Sequence, residues 1–153
     1  MKKLLSTLGI IAGFIAVLFA GVIGKEAAKK ALAPSSSEIE AALITGLHEG
    51  AKQINAKGKY MIDPETRMDG AVVGPGARVA YFHTLTNRPG SSFKAEDFHT
   101  VIKPLIVKGI CDVEQMRLTL RQGVTYEYVY MGRDGNEITR FSVLKGDCPW
   151  RRE

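Results

Sequence analysis

An unbroken apolar segment sets the amino terminus apart from the rest of the chain. Residues 4–24 are all uncharged and follow Lys2 and Lys3. A helix rises about 1.5 Å per residue, so this segment would be roughly 30 Å long, the thickness of a bilayer's hydrocarbon core. The pattern predicts one transmembrane helix that contacts membrane lipid through residues 4–24.

Cleavage or lipidation of this segment would change that interpretation. A secretory signal peptide usually has an apolar region of about 7–15 residues followed by a small-x-small cleavage site. Here the apolar run is longer, and Ala31-Leu32-Ala33 lies beyond three lysines and directly before Pro34. A lipoprotein would need a cysteine where Val22 stands, which excludes lipidation. We expect an uncleaved signal-anchor over residues 1–24, with a cleaved signal peptide as the alternative.

A short tether over residues 25–37 leads into a domain that we assign to residues 38–153. Ser35 with Glu38, or Ser37 with Glu40, can form a capping box and so predicts the start of a helix. Apolar residues at helical spacing then predict a buried stripe that ends before Lys57-Gly58. The stripe contains Ile39, Leu43, Leu47, Ala51 and Ile54.

Three strands are predicted after this helix. The first covers about Lys59–Ile62, and the next two, Met68–Val73 and Ala77–Thr86, are joined by Gly74-Pro75-Gly76. Glycines allow the positive φ that a tight reversal requires, so the last two strands should form a hairpin. Both faces of Ala77–Thr86 are partly apolar, which is typical of an interior strand.

Two helices should follow. The first runs from about Lys94 to Lys108, and Pro104 should kink or divide it because proline lacks a backbone donor. After Cys111, Asp112 is a suitable N-cap for a short helix that ends at Gly123. The buried side of the first helix is expected to contain Phe98, Val101, Ile102, Leu105 and Ile106.

A second hairpin closes the domain and completes the expected fold. Its strands, Val124–Met131 and Glu137–Leu144, are joined by Arg133-Asp134-Gly135-Asn136. The whole order of helix, strands, two helices and strands predicts an α+β domain. We expect an antiparallel sheet of about four or five strands with helices packed mainly on one face, preceded by one N-terminal transmembrane helix.

The net charge of +5 does not indicate nucleic acid binding. Residues 1–34 contain five lysines and one glutamate, so they carry +4 and leave only +1 for residues 35–153, with 16 basic and 15 acidic side chains. Polyanion binding needs clustered cations that displace counterions. The excess of lysines belongs instead to the flanks of the apolar segment, where they suit lipid headgroups.

The two cysteines, Cys111 and Cys148, decide the orientation of the chain. Lysines are nearly balanced across the apolar segment, so charge alone does not orient it. A cysteine pair in a small exported domain is normally a disulfide, and the absence of a CxxC spacing argues against a redox pair. We therefore expect an inner-membrane, single-pass protein with its carboxy-terminal domain in the periplasm.

Small residues recur within the predicted membrane helix. Gly9 and Gly13 form a GxxxG pattern, and Ala16 and Ala20 continue it. This spacing lets two membrane helices approach closely, so a homodimer through these four residues is one interpretation. The other is that glycine and alanine are common in any membrane helix.

No pattern of catalytic or metal-binding residues is evident. His48, His83 and His99 are the only histidines, and they lack the spacing of a helical metal site. No GxSxG or phosphate-binding loop is present. We expect no catalytic residue, cofactor or metal, while an exported enzyme or small-ligand binder with His83 or His99 in a cleft remains the alternative.

Three tyrosines alternate along the predicted fourth strand. Tyr126, Tyr128 and Tyr130 would lie on one face. If exposed, their rings would offer a surface for a protein partner; if buried, they would pack against the helices. They are our candidate partner surface, and burial in the core is the alternative.

Two segments resemble known protein families. Cys111-Asp112, the short helix, Gly123-Val124-Thr125-Tyr126, the hairpin with Gly135 and the closing Cys148 resemble the carboxy-terminal half of the beta-type pilotins of type II secretion systems. The resemblance implies a small periplasmic α+β fold, a disulfide between the two cysteines, and the role of a carrier for an outer-membrane pore subunit. Pilotins carry this role on a lipid anchor, whereas this chain has no lipidated cysteine.

The segment from Asp63 to Asp69, with Pro75-Gly76 and Tyr81, is similar to small exported bacterial proteins of unassigned function. Together with the predicted anchor, both resemblances favour a non-enzymatic accessory or assembly protein that contacts an envelope protein. Neither resemblance includes a catalytic motif.

Overall fold

The computed structural model describes residues 35–149, and the first helix begins at a complete capping box. The Ser35 hydroxyl accepts a hydrogen bond from the Glu38 backbone N–H, and the Glu38 carboxylate accepts one from the Ser35 N–H at 2.8 Å. These bonds satisfy two donors that the first helical turn would otherwise leave free. The structure therefore selects the earlier of the two predicted boxes, and the helix α1 spans Ser36–Ala56.

The remaining elements follow the predicted order closely. The strands are β1 Tyr60–Met61, β2 Thr66–Gly74, β3 Arg78–Leu85, β4 Thr125–Gly132 and β5 Glu137–Val143. Between β3 and β4 lie the helices α2 Ala95–Asp97, α3 Lys103–Asp112 and α4 Glu114–Arg121, with a π-helical turn at Phe98–Ile102. Short 3₁₀ turns occupy Gly90–Ser92 and Lys145–Asp147.

The five strands form one mixed sheet in the order β1-β2-β3-β4-β5. All neighbouring strands are antiparallel except β3 and β4, which run parallel with Arg78 opposite Thr125 and Leu85 opposite Gly132. The prediction of an antiparallel sheet was therefore wrong at this pair. The chain between Leu85 and Thr125 crosses the sheet through three helices and returns to the end where β3 began, which makes the next strand parallel.

The helices pack on one face of the sheet, which we call the helix face. Buried residues of α1, α3 and α4 join inward-facing residues of β2 to β5 in a single apolar cluster. This arrangement confirms that the described helices lie mainly on one side. The largest fully buried side chains include Leu47, Ile54, Met68, Tyr81, Ile110, Met116, Leu120 and Tyr126.

Asn55, at the end of α1, fixes the helix to β2. Its side-chain amide donates to the Ala71 carbonyl at 2.9 Å and accepts from the Ala71 N–H at 2.8 Å. The contact sits beside a bulge between Met68 and Gly70. Gly70 has a φ of 152°, and a Cβ built there would lie 2.8 Å from the Asn55 Oδ1 atom. A glycine is therefore required here both by backbone conformation and by the close approach of Asn55.

The helical segment after β3 is divided as predicted. The π-helical turn Phe98–Ile102 precedes α3, and Pro104 lies in the first turn of α3, where its missing N–H costs no helical hydrogen bond. Phe98 is buried, but Val101 is 50% exposed, so its predicted place on the buried side was wrong. The π turn changes the helical phase, which moves Val101 away from the sheet.

Asp112 does not cap the short helix. It is the last residue of α3, where its carboxylate pairs with the Lys108 ammonium, and α4 starts after Val113 without a side-chain cap. The predicted N-cap was therefore wrong, because α3 continues four residues beyond the expected end at Lys108. Cys111 consequently lies in the last turn of α3 rather than at the start of α4.

Cys111 and Cys148 form a disulfide that ties α3 to the segment after β5. Their Cα atoms are 5.6 Å apart and the two residues are separated by 37 positions. Cys148 is buried in the core cluster, whereas Cys111 is partly exposed. The bond therefore fixes the helical crossover to the end of the sheet.

Within residues 35–149, no helix has the length and apolar character needed to cross a bilayer. The predicted anchor over 1–24, and with it Gly9, Gly13, Ala16 and Ala20, lies outside the described residues. The last two residues of the predicted tether, Ser36 and Ser37, already belong to α1.

The disulfide gives the first prediction. Cys111→Ser and Cys148→Ser should each lower the free energy of unfolding by about 4 kcal/mol, since either change opens the same loop in the unfolded chain. The double variant should be no less stable than the weaker single variant, because all three lose one bond. Denaturant unfolding of the three variants and the wild type measures this. Two freely alkylated thiols in the wild type, unfolded without reductant, would contradict the bond.

Candidate interaction surface

The tyrosines of β4 lie in the core and not on a surface. Tyr126, Tyr128 and Tyr130 are 0%, 4% and 5% exposed. Their rings pack within the helix face; Tyr126, for example, stacks on Tyr81 with ring centres 6.4 Å apart. In this position their rings are not accessible to a partner. The structure therefore agrees with the alternative in which the tyrosines pack in the core.

Tyr126 is also connected to a helix by a hydrogen bond. Its hydroxyl lies 2.6 Å from the Thr119 hydroxyl of α4, and burial raises the pKa of Tyr126 to about 12. The ring is thus held at its polar end as well as by packing. Its role is to connect α4 to the sheet.

His83 is part of the same aromatic layer. It is 1% exposed and stacks between Tyr128 and Tyr130, with ring centres 5.9 and 4.9 Å away. Burial lowers the pKa of His83 to about 4. Its Nδ1 atom has no hydrogen-bond partner in the described chain. His83 is therefore a neutral core side chain at pH 7.

The other two histidines lie outside the core. His99 is exposed, and its Nε2 atom is 3.1 Å from the Thr139 hydroxyl, while His48 is exposed on α1. Among residues 35–149, no histidine is hydrogen-bonded or ion-paired to a carboxylate, and no group of three or more metal-binding side chains converges. The structure thus does not bring His83 and His99 together into a site.

His83 generates a pH prediction. The unfolded histidine has a pKa of about 6.5 and the folded one about 4, so between these values the unfolded chain binds more protons. Stability should therefore be greatest above pH 6.5 and fall by up to about 3 kcal/mol as the pH drops to 4. His83→Phe should reduce this pH slope, whereas His48→Gln should leave it unchanged. Urea unfolding across pH 4 to 8 measures the slope, and equal slopes for wild type and His83→Phe would contradict the assignment.

The opposite face of the sheet, which we call the open face, carries no helix of the described chain. Its residues alternate along the strands with those of the helix face, as the register between the strands requires. It includes Arg67 and Val72 on β2, Ala80, Phe82 and Thr84 on β3, Glu127 and Val129 on β4, and Arg140 and Ser142 on β5.

Glu127 is the centre of one charged cluster on the open face. Its side chain is only 8% exposed and accepts a hydrogen bond from the Arg140 Nη1 atom at 2.5 Å. The Arg78 Nη1 atom lies 3.6 Å from its other oxygen, and Arg140 also binds Glu137 through Nε and Nη2. These carboxylates raise the pKa of Arg140. Two half-exposed guanidinium groups thus neutralise a nearly buried carboxylate. A charge removed from water needs such partners, because burying it unpaired is costly.

Asp69 forms a second cluster at the other end of the same face. Its side chain is 11% exposed and accepts hydrogen bonds from the Arg67 Nε atom at 2.5 Å and from the Thr84 hydroxyl, with Lys59 at 4.0 Å. Burial alone would raise the pKa of Asp69, but these hydrogen bonds and the nearby positive charges lower it below its usual value. Both clusters therefore present arginine at the surface and hold the acid beneath it.

Between the clusters the open face is apolar. Val129 is 1% exposed although it lies outside the main core cluster, and Phe82 beside it is half-buried. At the margins, Val72 is 57% and Met61 50% exposed. An apolar centre surrounded by arginines is the composition typical of a protein interface.

Sequence reasoning did not find this surface. The alternation of Ala80, Phe82 and Thr84 indicated that both faces of β3 were partly apolar. However, only the register shows that Glu127 and Arg140 approach each other from neighbouring strands. A surface assembled from four strands has no contiguous sequence signal.

Comparison by sequence gives no assignment. No family model matches the chain, and no curated protein matches it either. The similarity of this chain to known proteins is therefore one of fold.

The fold is shared with pilotins of type II secretion systems. The pilotin AspS from Vibrio cholerae superposes with a TM-score of 0.58 at 15% identity, covering 75% of this chain and 100% of that one. The pilotin EpsS from Vibrio vulnificus gives 0.59 at 15% identity, covering 75% and 99%. A Pseudomonas aeruginosa protein assigned as secreted gives 0.61 at 14% identity, covering 72% and 96%. The resemblance to pilotins is thus confirmed at the level of the fold.

Proposed function

We propose that this chain is a membrane-anchored, non-enzymatic accessory or assembly protein of the bacterial envelope, with its α+β domain in the periplasm. The observation that carries the proposal is the pilotin fold, which covers 75% of the chain. The disulfide between Cys111 and Cys148 supports an oxidising compartment. The apolar run at residues 4–24 supports an anchor of protein rather than lipid.

The open face is the surface that we assign to the envelope partner. It combines the half-buried Phe82 and the margin residues Met61 and Val72 with the exposed guanidinium groups of Arg78 and Arg140. Because Glu127 and Asp69 are already neutralised within the domain, a partner can cover the face without burying an unpaired acid. The three tyrosines contribute by holding β4 rigid beneath this surface.

Photo-crosslinking in the producing cells tests the partner surface. A benzoylphenylalanine placed at Met61 or Ser142, both on the open face, should crosslink the full chain to an envelope protein. The same group at Glu40, which is exposed on α1, is the matched control and should give no adduct with that protein. Identical adducts from all three positions would contradict the open face as the interface.

Protease accessibility tests the proposed topology. Protease added to spheroplasts should degrade the chain beyond about Lys25 and leave the anchor protected, because residues 4–24 would be within the bilayer. Protection of the domain until the cells are lysed would place it in the cytoplasm. The mass of the protected fragment also distinguishes an uncleaved anchor from a released domain.

A further inference from the structure

Two exposed leucines and three cations form a patch at one end of the sheet, which we call the basal patch. It consists of Arg117, Leu118 and Arg121 on α4 and of Leu144 and Lys145 after β5, and all five are exposed. The two leucines are 41% and 49% exposed. The segments lie side by side, because α4 contacts the turn Lys145–Asp147. Leucine beside arginine and lysine is the composition with which proteins enter the headgroup region of an anionic bilayer.

The arginines of the basal patch are available to a ligand. Neither the Arg117 nor the Arg121 side chain makes an ion pair or hydrogen bond within the part of the chain that the structure describes. The nearby Asp147 carboxylate accepts a hydrogen bond from the Leu144 N–H at 2.7 Å. Glu114 begins α4, seven residues before Arg121 and therefore about 10 Å from it along the helix. The patch thus offers two unpaired guanidinium groups to an anionic partner.

The register places the basal patch at the end of the sheet where β3 and β4 begin. Arg78 opens β3 opposite Thr125, the first residue of β4. The antiparallel β5 ends here at Val143, directly before Leu144. Only residues 122–124 separate α4 from β4, so α4 ends here as well. Both segments of the patch therefore share one end of the domain.

The amino terminus of α1 points toward the same end. Near the carboxyl end of α1, Asn55 binds Ala71, and the preceding turns line a groove with Val72 and Val73. Helix α1 therefore runs antiparallel to β2, and its first turn lies toward Gly74, the last residue of β2. Gly74 is next to the start of β3. The chain that precedes α1 thus joins the domain at the end that carries the basal patch.

The connection to the proposed anchor is short. Residues 25–34 join the apolar segment to Ser35, and these ten residues span no more than about 35 Å at full extension. The end of the domain with the basal patch is therefore confined close to the lipid surface. A short connection also makes even a weak contact effective, because the tethered group has an effective concentration of about millimolar.

We propose that the basal patch docks the domain on the anionic lipid headgroups of the membrane that holds the anchor. Leu118 and Leu144 enter the headgroup region, and the three cations of the patch contact lipid phosphates. The inference rests on the anchor in the proposed function and goes beyond it, since it assigns the end of the domain that lies on the bilayer. The open face is a side of the sheet and not this end, so it stays accessible to the envelope partner.

Fluorescence quenching on the full chain tests the docking. The chain is reconstituted in nanodiscs of phosphatidylcholine, with or without an equal part of phosphatidylglycerol, and nitroxide-labelled lipid is the quencher. A fluorescent amino acid in place of Leu144 should be quenched in the anionic discs and much less in the neutral ones. The same fluorophore in place of Glu96, exposed on α2 beyond the opposite end of β3, should not be quenched in either. Equal quenching at Leu144 in both discs would overturn the proposal.

Charge variants locate the contact. Arg117→Gln combined with Arg121→Gln should lower the ratio of docked to undocked domain about 25-fold, since a basic residue near an anionic surface contributes about fivefold. Lys94→Gln combined with Arg133→Gln removes the same charge from exposed residues outside the patch and should leave the ratio unchanged. Thermal unfolding verifies that each variant is folded. An equal loss in both pairs would indicate an effect of net charge and would reject the patch.

The same samples report on the anchor separately. A full chain that does not co-elute with the nanodiscs would contradict the anchor, and with it both the proposed function and the docking. A chain that co-elutes but shows no quenching at Leu144 in either disc would contradict the docking alone and would leave the patch to a soluble acidic partner.

Discussion

The parallel pairing of β3 with β4 is the constraint on which the rest of the domain depends. Two parallel neighbours cannot be joined by a tight turn, so the chain must leave the sheet after Leu85 and return at Thr125. This connection contains α2, α3 and α4, and the helical segment packs on β4 and β5. It also places Cys111 in the crossover, where the disulfide to Cys148 fixes the crossover to the segment that follows β5.

Local sequence signals predicted most of the helices and strands. The features that they did not predict depend on contacts between residues far apart in the sequence or on the exact course of a helix. The capping box at Ser35, the hairpin turns and the division at Pro104 depend on residues within a few positions, and the structure contains all three. The direction of β4 depends on how a 39-residue connection travels. No single residue of that connection predicts on which side of β3 the chain returns or in which direction β4 runs. Val101 and Asp112 were misplaced for a related reason, since a π turn and a longer α3 each changed the helical phase.

The candidate site shows the same division. Alternation placed Tyr126, Tyr128 and Tyr130 on one face but could not say which face was covered, and here it is the helix face. Glu127 and Val129 of β4 point to the open face. Their contacts there are with residues of β3 and β5, which only the register of the sheet reveals. The sequence alone does not indicate that Glu127 is nearly buried. Across strands it becomes one part of a charge network in which Arg140 and Arg78 pair with its carboxylate.

The contact of Asn55 with Ala71 across the bulge at Gly70 links positions that are 15 and 16 residues apart. Asn55 binds where a neighbouring strand would, and it can do so only because Gly70 has no side chain. A mutation that adds a side chain at residue 70 displaces the amide, and a mutation that removes the amide leaves a bulge with no partner. Neither change is neutral alone. In homologous sequences these two positions should therefore covary, with glycine at one accompanying asparagine at the other.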